Sequence, residues 1–378
     1  MSIDILINQL DSHNEANIII TQKFNPKKVI YLYKKEEKEL MESINKYYKK
    51  NFSNIILENI YINEGDTDKL LKICTQDMSV DTLINLTGGS RINSLILFNI
   101  SKENLIKSIY LDVINKKIFI FNKKIEINII EFDDLNLEKI IKSTGGDVLQ
   151  DSTDFSNKKD LIILSQYIYK NLEIWHAYKQ RLYDSTVFKH DYNRNDIVVI
   201  NTIDLDNKEV NLLNKILFKI KEMNGIDYIK EKDNEIKVIF KNNYLKSFIF
   251  KSGTWLEIVT KNLIDEIKDI DEVRSGVMFL WNDKSKIVRN EVDVIAMKDC
   301  IPICVSCKDS DKYNEDTLNE LDVYSEKIGG KNTFKILVAT KEPIKNAVKI
   351  RAKEMGINII IFDGNEDKFK DSIKNIIK

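Results

Sequence analysis

The sequence predicts an α/β protein of two units, one over residues 1–145 and one over 196–378, joined by a helical linker over 146–195. Three observations carry this reading. The first third alternates apolar strand-like runs with amphipathic helical stretches, the pattern of a doubly wound, mainly parallel sheet. Near Gly145 that alternation gives way to a stripe at helical spacing. From residue 254 a helix pattern, three strand runs, a helix and a further strand follow in that order. A chain of 378 residues suggests two or three domains, and its 43% hydrophobic content suffices for ordinary cores.

Taken in order, IDILINQL (3–10) is a strand, followed by the loop DSHNEAN and a short helix. KKVIYLYK (27–34) is the second strand. In EEKELMESINKYYKK (36–50), Leu40, Met41, Ile44, Tyr47 and Tyr48 fall on one helical face. SNIILENIYI (53–62) is a third strand, and the next helix sets Leu70, Leu71, Cys74 and Met78 in register. VDTLINL (80–86) is a fourth strand, TGGSR a turn and NSLILFNI (93–100) a helix. KSIYLDV (107–113) and KIFIFN (117–122) finish the unit.

Residues 160–184 read as one helix of about seven turns, with Leu161, Leu164, Ile168, Leu172, Trp175 and Leu182 along its stripe and His176 on its outer surface. DIVVINTI (196–203), a helix over Val210, Leu213, Leu217 and Ile220, and the strands IDYIKEK (226–232), EIKVIFK (235–241) and SFIF (247–250) lead into the last unit. They form either an extension of its sheet or a small lid. KSGTWLEIVTKNLI (251–264) is an amphipathic helix, and GVMFLW, NEVDVIAM and IPICVSCK are strands. A helix over Leu318, Leu321 and Ile328 stops at Gly329-Gly330. FKILVAT (334–340), the basic helix around Lys345, Lys349, Arg351 and Lys353, INIIIFD (357–363) and a final helix complete the chain.

Composition narrows the function only a little. The 58 basic and 59 acidic residues nearly cancel, leaving a formal charge of −1, so no overall basic field marks a nucleic-acid binder. Only 3 prolines and 12 glycines leave no room for low-complexity linkers. No apolar run approaches ~18 residues, which predicts no membrane span. The N-terminus lacks a secretory signal, so Cys74, Cys300, Cys304 and Cys307 read as reduced thiols of a cytoplasmic protein. A zinc site at the last three is disfavoured, because their spacing puts the side chains on both faces of a strand.

Chemistry-bearing residues gather in 253–308. If the three strands form a meander with the helix across it, Glu257, Glu291, Asp293 and Lys308 converge. Carboxylates able to hold divalent cations beside one ammonium suit phosphodiester cleavage. Asp293 stands amid Val292, Val294, Ile295 and Ala296, where an acid is costly without a partner or cation. In the first unit, Thr87-Gly88-Gly89-Ser90-Arg91 offers backbone N–H groups, hydroxyls and a guanidinium just before a helix, as a phosphate ligand requires. A plain strand-to-helix turn explains the same residues. The loop Asp11 to Asn17 is the second candidate ligand loop, and His13 reads equally as a solvated loop residue.

GTWLE, NEVDV and the strand end Ser306-Cys307-Lys308 resemble the PD-(D/E)xK, restriction-endonuclease-like core. More narrowly they are similar to the nuclease half of CRISPR-associated ancillary nucleases with an N-terminal CARF sensor. LTGGSR and DSHNEAN stand where that family has its ligand loops. The resemblance implies a Rossmann-like CARF domain over 1–145, a helical linker, and a C-terminal restriction-endonuclease-like α/β domain. It implies a homodimer sensing a cyclic oligoadenylate, with cyclic tetra-adenylate the commonest activator, and cleaving RNA or DNA in type III CRISPR antiviral defence. Ser12, His13, Asn14, Thr87, Gly88, Gly89, Ser90 and Arg91 would contact the ligand. Glu257, Glu291 and Asp293 would hold Mg²⁺ or Mn²⁺ beside Lys308. Ser306 stands where the family has an acid, and Glu291 is the substitute carboxylate on the Asp293 face. Two other readings stay open: a constitutive structure-specific DNA repair or restriction nuclease, and a catalytically inactive cyclic-nucleotide sensor.

Overall fold

The computed structural model describes residues 3–77, 79–251, 253–283 and 286–378, so Met78, expected on the face of the third helix, lies outside the described residues. Its first sheet is built from β1 (Ile5–Gln9), β2 (Lys28–Tyr33), β3 (Ile56–Tyr61), β4 (Thr82–Asn85), β5 (Lys107–Asp112), β6 (Lys117–Phe121) and β7 (Ile125–Ile129), in the order β3-β2-β1-β4-β5-β6-β7. The first five are parallel and β6 and β7 add antiparallel. The helices α1 (Glu15–Phe24), α2 (Lys38–Asn51), α3 (Thr67–Cys74) and α4 (Arg91–Glu103) cross between parallel strands. Chain order reverses between β1 and β4, the switch point where such sheets bind ligands beyond the strands' carboxyl ends.

After α5 (Leu137–Ser143), β8 (Gly146–Gln150) pairs antiparallel with the strand Glu272–Asp283 of the last unit's sheet, although its residues lie in the stretch expected as linker. The single long helix expected over 160–184 is divided. Following α6 (Thr153–Ser156), α7 (Lys159–Tyr169) ends and α8 (Leu172–Tyr178) begins anew, with a 3₁₀ turn over Lys179–Tyr183. Asn171 causes the break: its backbone leaves the helical region and its amide donates to the Tyr167 carbonyl at 2.8 Å. The break lets α7 pack on the helix over 254–265 while α8 turns toward the strand ending at Lys308.

A second, four-stranded antiparallel sheet follows, β11-β12-β10-β9, from β9 (Phe188–His190), β10 (Ile197–Asn201), β11 (Ile226–Lys232) and β12 (Glu235–Phe240), with α9 (Asn207–Glu222) across it. It pairs with neither of the other sheets, so the extension alternative is not realised. SFIF, expected as a strand, closes the helix α10 (Asn243–Phe250), whose start is capped by Asn242 accepting from the Leu245 N–H. A short apolar run fits either element, and the cap decides it.

The last unit follows the expected order. It runs α11 (Thr254–Asp265), β13 (Glu272–Asp283), β14 (Lys286–Lys298), β15 (Ile301–Lys308), α12 (Glu315–Gly329), β16 (Phe334–Ala339), α13 (Asn346–Glu354), β17 (Ile357–Ile361) and α14 (Glu366–Ile376). Its sheet is β17-β16-β15-β14-β13-β8, with β13, β14 and β15 a meander and β15, β16 and β17 parallel. Cys304 faces the core on the α12 side and Cys307 the core on the α11 side, so strand alternation separates them. All four cysteines are free and buried. The α12-side core runs without a break into the first unit, where Leu137, Ile140 and Ile141 of α5 join it to Ile18, Ile44 and Tyr48. Among the described residues no helix is long and apolar enough to cross a membrane.

Candidate active site and ligand loops

Asp293 stands near the middle of β14, opposite Gly276 of β13, where the flanking pairs are Ser275–Val294 and Val277–Val292. Gly276 has a φ of +54° there, which a side chain would strain. One carboxylate oxygen of Asp293 accepts from the Cys307 N–H at 2.7 Å and the Ser306 hydroxyl at 3.2 Å, both on the neighbouring β15. Lys308 Nζ lies 4.0 Å from the same oxygen. Ser306, in place of an acid, thus donates to the carboxylate it would otherwise repel.

Glu257 approaches from the first turn of α11. Its carboxyl is pushed up to about 7, first by burial and then by the negative charges of Asp293 and Glu291, against the pull of Lys308. Those influences place the four expected charged residues around one locality. Glu291 is the exposed member, at the rim. Among the described residues no three acid, histidine or cysteine side chains already stand in metal-ligating geometry. Like charges repel at short range without a cation, and Asp293 is turned to its two donors. The donor set is nonetheless all oxygen, as hard divalent cations prefer, and a half-neutralised, half-buried Glu257 is a carboxyl that a cation would relieve.

Asp309, beside Lys308, opens the polar stretch DSDKYNED (309–316), which nothing in its own pattern marks as part of a site. Its side chain is 2% exposed. It accepts from the indoles of Trp175 and Trp255 and from the Thr340 hydroxyl, with His176 and Lys179 beside it. His176, expected on the outer surface, therefore faces inward. Burial lowers its imidazole below the ordinary value, against the opposing effect of Asp309. The turn of α8 after Asn171 brings it there. Sequence carried one signal: two tryptophans and an acid next to the key lysine.

At the switch point the two expected ligand loops lie side by side. The Gly89 N–H donates to Asp11 Oδ2 at 2.7 Å, and Ser90 bonds Glu64. A Cβ on Gly89, at φ +82°, would collide with Gln9. Thr87 accepts from the Leu111 N–H on β5, and Arg91 is exposed in the first turn of α4. Ser12 is exposed as well. Asn14 is not available to a ligand: it is 0% exposed, with its oxygen accepting from Asp11 N–H and Asn17, and its amide donating to the Asp11 and Ser143 carbonyls. An asparagine that closes both ends of its own loop is drawn inside. His13 points to the last unit, its Nε2 2.9 Å from the Glu326 carbonyl in α12 and its ring against Gly330.

Residues 245–378 match the family model described as the Card1-like endonuclease domain. No curated protein matches the chain. Among solved structures, Can2 from Sulfobacillus thermosulfidooxidans, in complex with cyclic tetra-adenylate, is similar over 99% of both chains, with a TM-score of 0.75 and 18% identity. Protein VC1899 from Vibrio cholerae is similar over 99% of this chain and 97% of its own, at TM-score 0.76 and 16% identity. A type III CRISPR defence DNA nuclease activated by cyclic oligoadenylate is similar over 92% of this chain and 48% of its own, at TM-score 0.54 and 12% identity. At such identities these likenesses establish the fold alone: a mixed α/β architecture, shared with the first two along nearly the whole chain.

Proposed function

We propose that this chain is a cyclic oligoadenylate-activated, metal-dependent endonuclease of type III CRISPR defence, with cyclic tetra-adenylate as activator and RNA or DNA as substrate. The observation that carries it is Asp293, held by Cys307 and Ser306 beside Lys308, with the elevated Glu257 next to it, in a segment matching an endonuclease domain. Glu257, Glu291 and Asp293 are the residues to hold Mg²⁺ or Mn²⁺. When bound, that cation neutralises phosphate charge and lets the nucleophile attack. Lys308 steadies the negative charge that builds on the phosphate oxygens. The Cys307 N–H and Ser306 hydroxyl fix the Asp293 carboxylate in the strand.

The activator's place is the switch point. Gly89, Ser90 and Arg91 offer backbone donors, a hydroxyl and a cation at the start of α4, and Asp11 takes the Gly89 donor when no phosphate does. Can2 binds cyclic tetra-adenylate on the same overall architecture. Two chains pairing over the exposed α4 would set two such turns side by side around one symmetric ring. Four free thiols suit the reducing cytoplasm.

The test is cleavage of labelled single strands and duplexes in Mn²⁺, with and without cyclic tetra-adenylate. Asp293→Ala should lower activated cleavage by more than about 100-fold, beyond what outer-shell changes usually cause, while still binding the activator. Arg91→Ala should raise the activator concentration needed and leave Mn²⁺ binding intact. Wild-type cleavage indifferent to activator would favour the constitutive nuclease, and intact substrates under every condition the inactive sensor.

A further inference from the structure

We infer that Asp309 is a positioning residue that locks the first turn of α11 and the end of β15 to one another, and so holds Glu257 and Lys308 across from Asp293. The inference rests on the reading of that cluster as the cleavage site. One oxygen of Asp309 accepts from two indoles of separate elements, Trp255 Nε1 at 2.9 Å from α11 and Trp175 Nε1 at 2.7 Å from α8. The other accepts from the Thr340 hydroxyl at 2.8 Å, with His176 Nε2 3.2 Å away. Lys179 Nζ stands 3.3 Å from the carboxylate and also bonds the Asp309 carbonyl.

A buried carboxylate is costly unless its lone pairs are met, and here donors from four places in the chain meet them. Two of the donors bear directly on the site. Trp255 is two residues before Glu257 in the same helical turn. Thr340 follows β16 and donates its backbone N–H to the Lys308 carbonyl at 3.2 Å. Lys308 itself precedes Asp309. With His176 held toward its neutral form by burial, Lys179 is the cation that balances Asp309. The two lysines have separate tasks: Lys308 faces Asp293, and Lys179 anchors the strand end from behind.

Asp309→Asn keeps the shape and one acceptor but cannot serve all the donors. In full-length protein it should fold and bind cyclic tetra-adenylate as wild type does. Its affinity for Mn²⁺, measured by calorimetry on the metal alone, should fall about tenfold or more, and kcat by a similar factor with KM for the strand unchanged. Amide hydrogen exchange without metal or substrate should quicken at 254–258 and 306–309 and stay unchanged in β1 to β5. Trp175→Phe and Thr340→Val, each removing one donor, should show smaller changes in the same direction and serve should Asp309→Asn fail to fold. Wild-type exchange at both segments in these variants, or Mn²⁺ affinity lowered only in proportion to unfolded protein, would overturn the role. Because the exchange needs no cleavage, a wild-type chain that cuts nothing would sink the proposed function and leave this test decisive.

Discussion

Glu257 carries the site's acidity. Its carboxyl, ordinarily at 4.5, is raised to about 7 by burial and by the charges of Asp293 and Glu291. A cation must displace that proton, so Mn²⁺ affinity should climb as pH rises from 6 to 7, by up to about tenfold per unit, and level off above. Calorimetric titrations across that range read it directly, and Glu257→Gln should bind more weakly with a flatter profile. The metal-free fold has the opposite dependence. Its Glu257 keeps a proton that the unfolded chain releases from about 4.5 upward, so this group's contribution to stability declines as pH rises through 7. Asp293 was legible in the sequence because an acid within an apolar strand demands a partner. Asp309 was not, since its partners come from residues 175, 179, 255 and 340 and no spacing announces them. Asn14 was misread for a related reason: whether a loop amide points out or in depends on contacts as distant as Ser143.

Among the elements, α12 links the two expected sites. Its carboxyl end receives His13 from the β1 loop, and its flank packs on β15 and β16, the strands that carry Ser306 and Lys308 and lead to Thr340. A shift in the loop thus has a solid path to the strand end. His13→Ala should leave the affinity for cyclic tetra-adenylate within about threefold of wild type yet reduce the ratio of activated to basal cleavage by at least about fivefold, a modest coupling energy. Parallel calorimetry and cleavage assays would separate the two quantities, and an unchanged ratio would rule the path out. Strand–helix periodicity made the first sheet through β6 and the order of the last unit readable. It missed β7, β8 and the break in the 160–184 helix. Those depend on Asn171 and on an edge of β13 offered from more than a hundred residues away, which local pattern does not register.

For the molecule as a whole, the proposed pairing of two chains would use α4. It begins at the ligand turn and shows Ile92 and Leu95 to solvent at 46% and 65% exposure. Leu95→Glu should put a charge into that face, leave monomers in sedimentation, and raise the activator concentration needed for half-maximal cleavage. Dimers of unchanged strength would send the interface elsewhere, for instance to the isoleucine row of β7 at Ile125, Ile127 and Ile129.

The pairing of β8 with β13 bears on how the protein can be cut into pieces. A fragment starting at residue 245, where the endonuclease match begins, would lack the short edge strand that covers β13 and would present that longer strand's unmet amides and carbonyls. Such a piece would tend to stack with its own kind and precipitate. The soluble minimum must therefore reach back to at least Gly146, across the boundary that motif comparison draws.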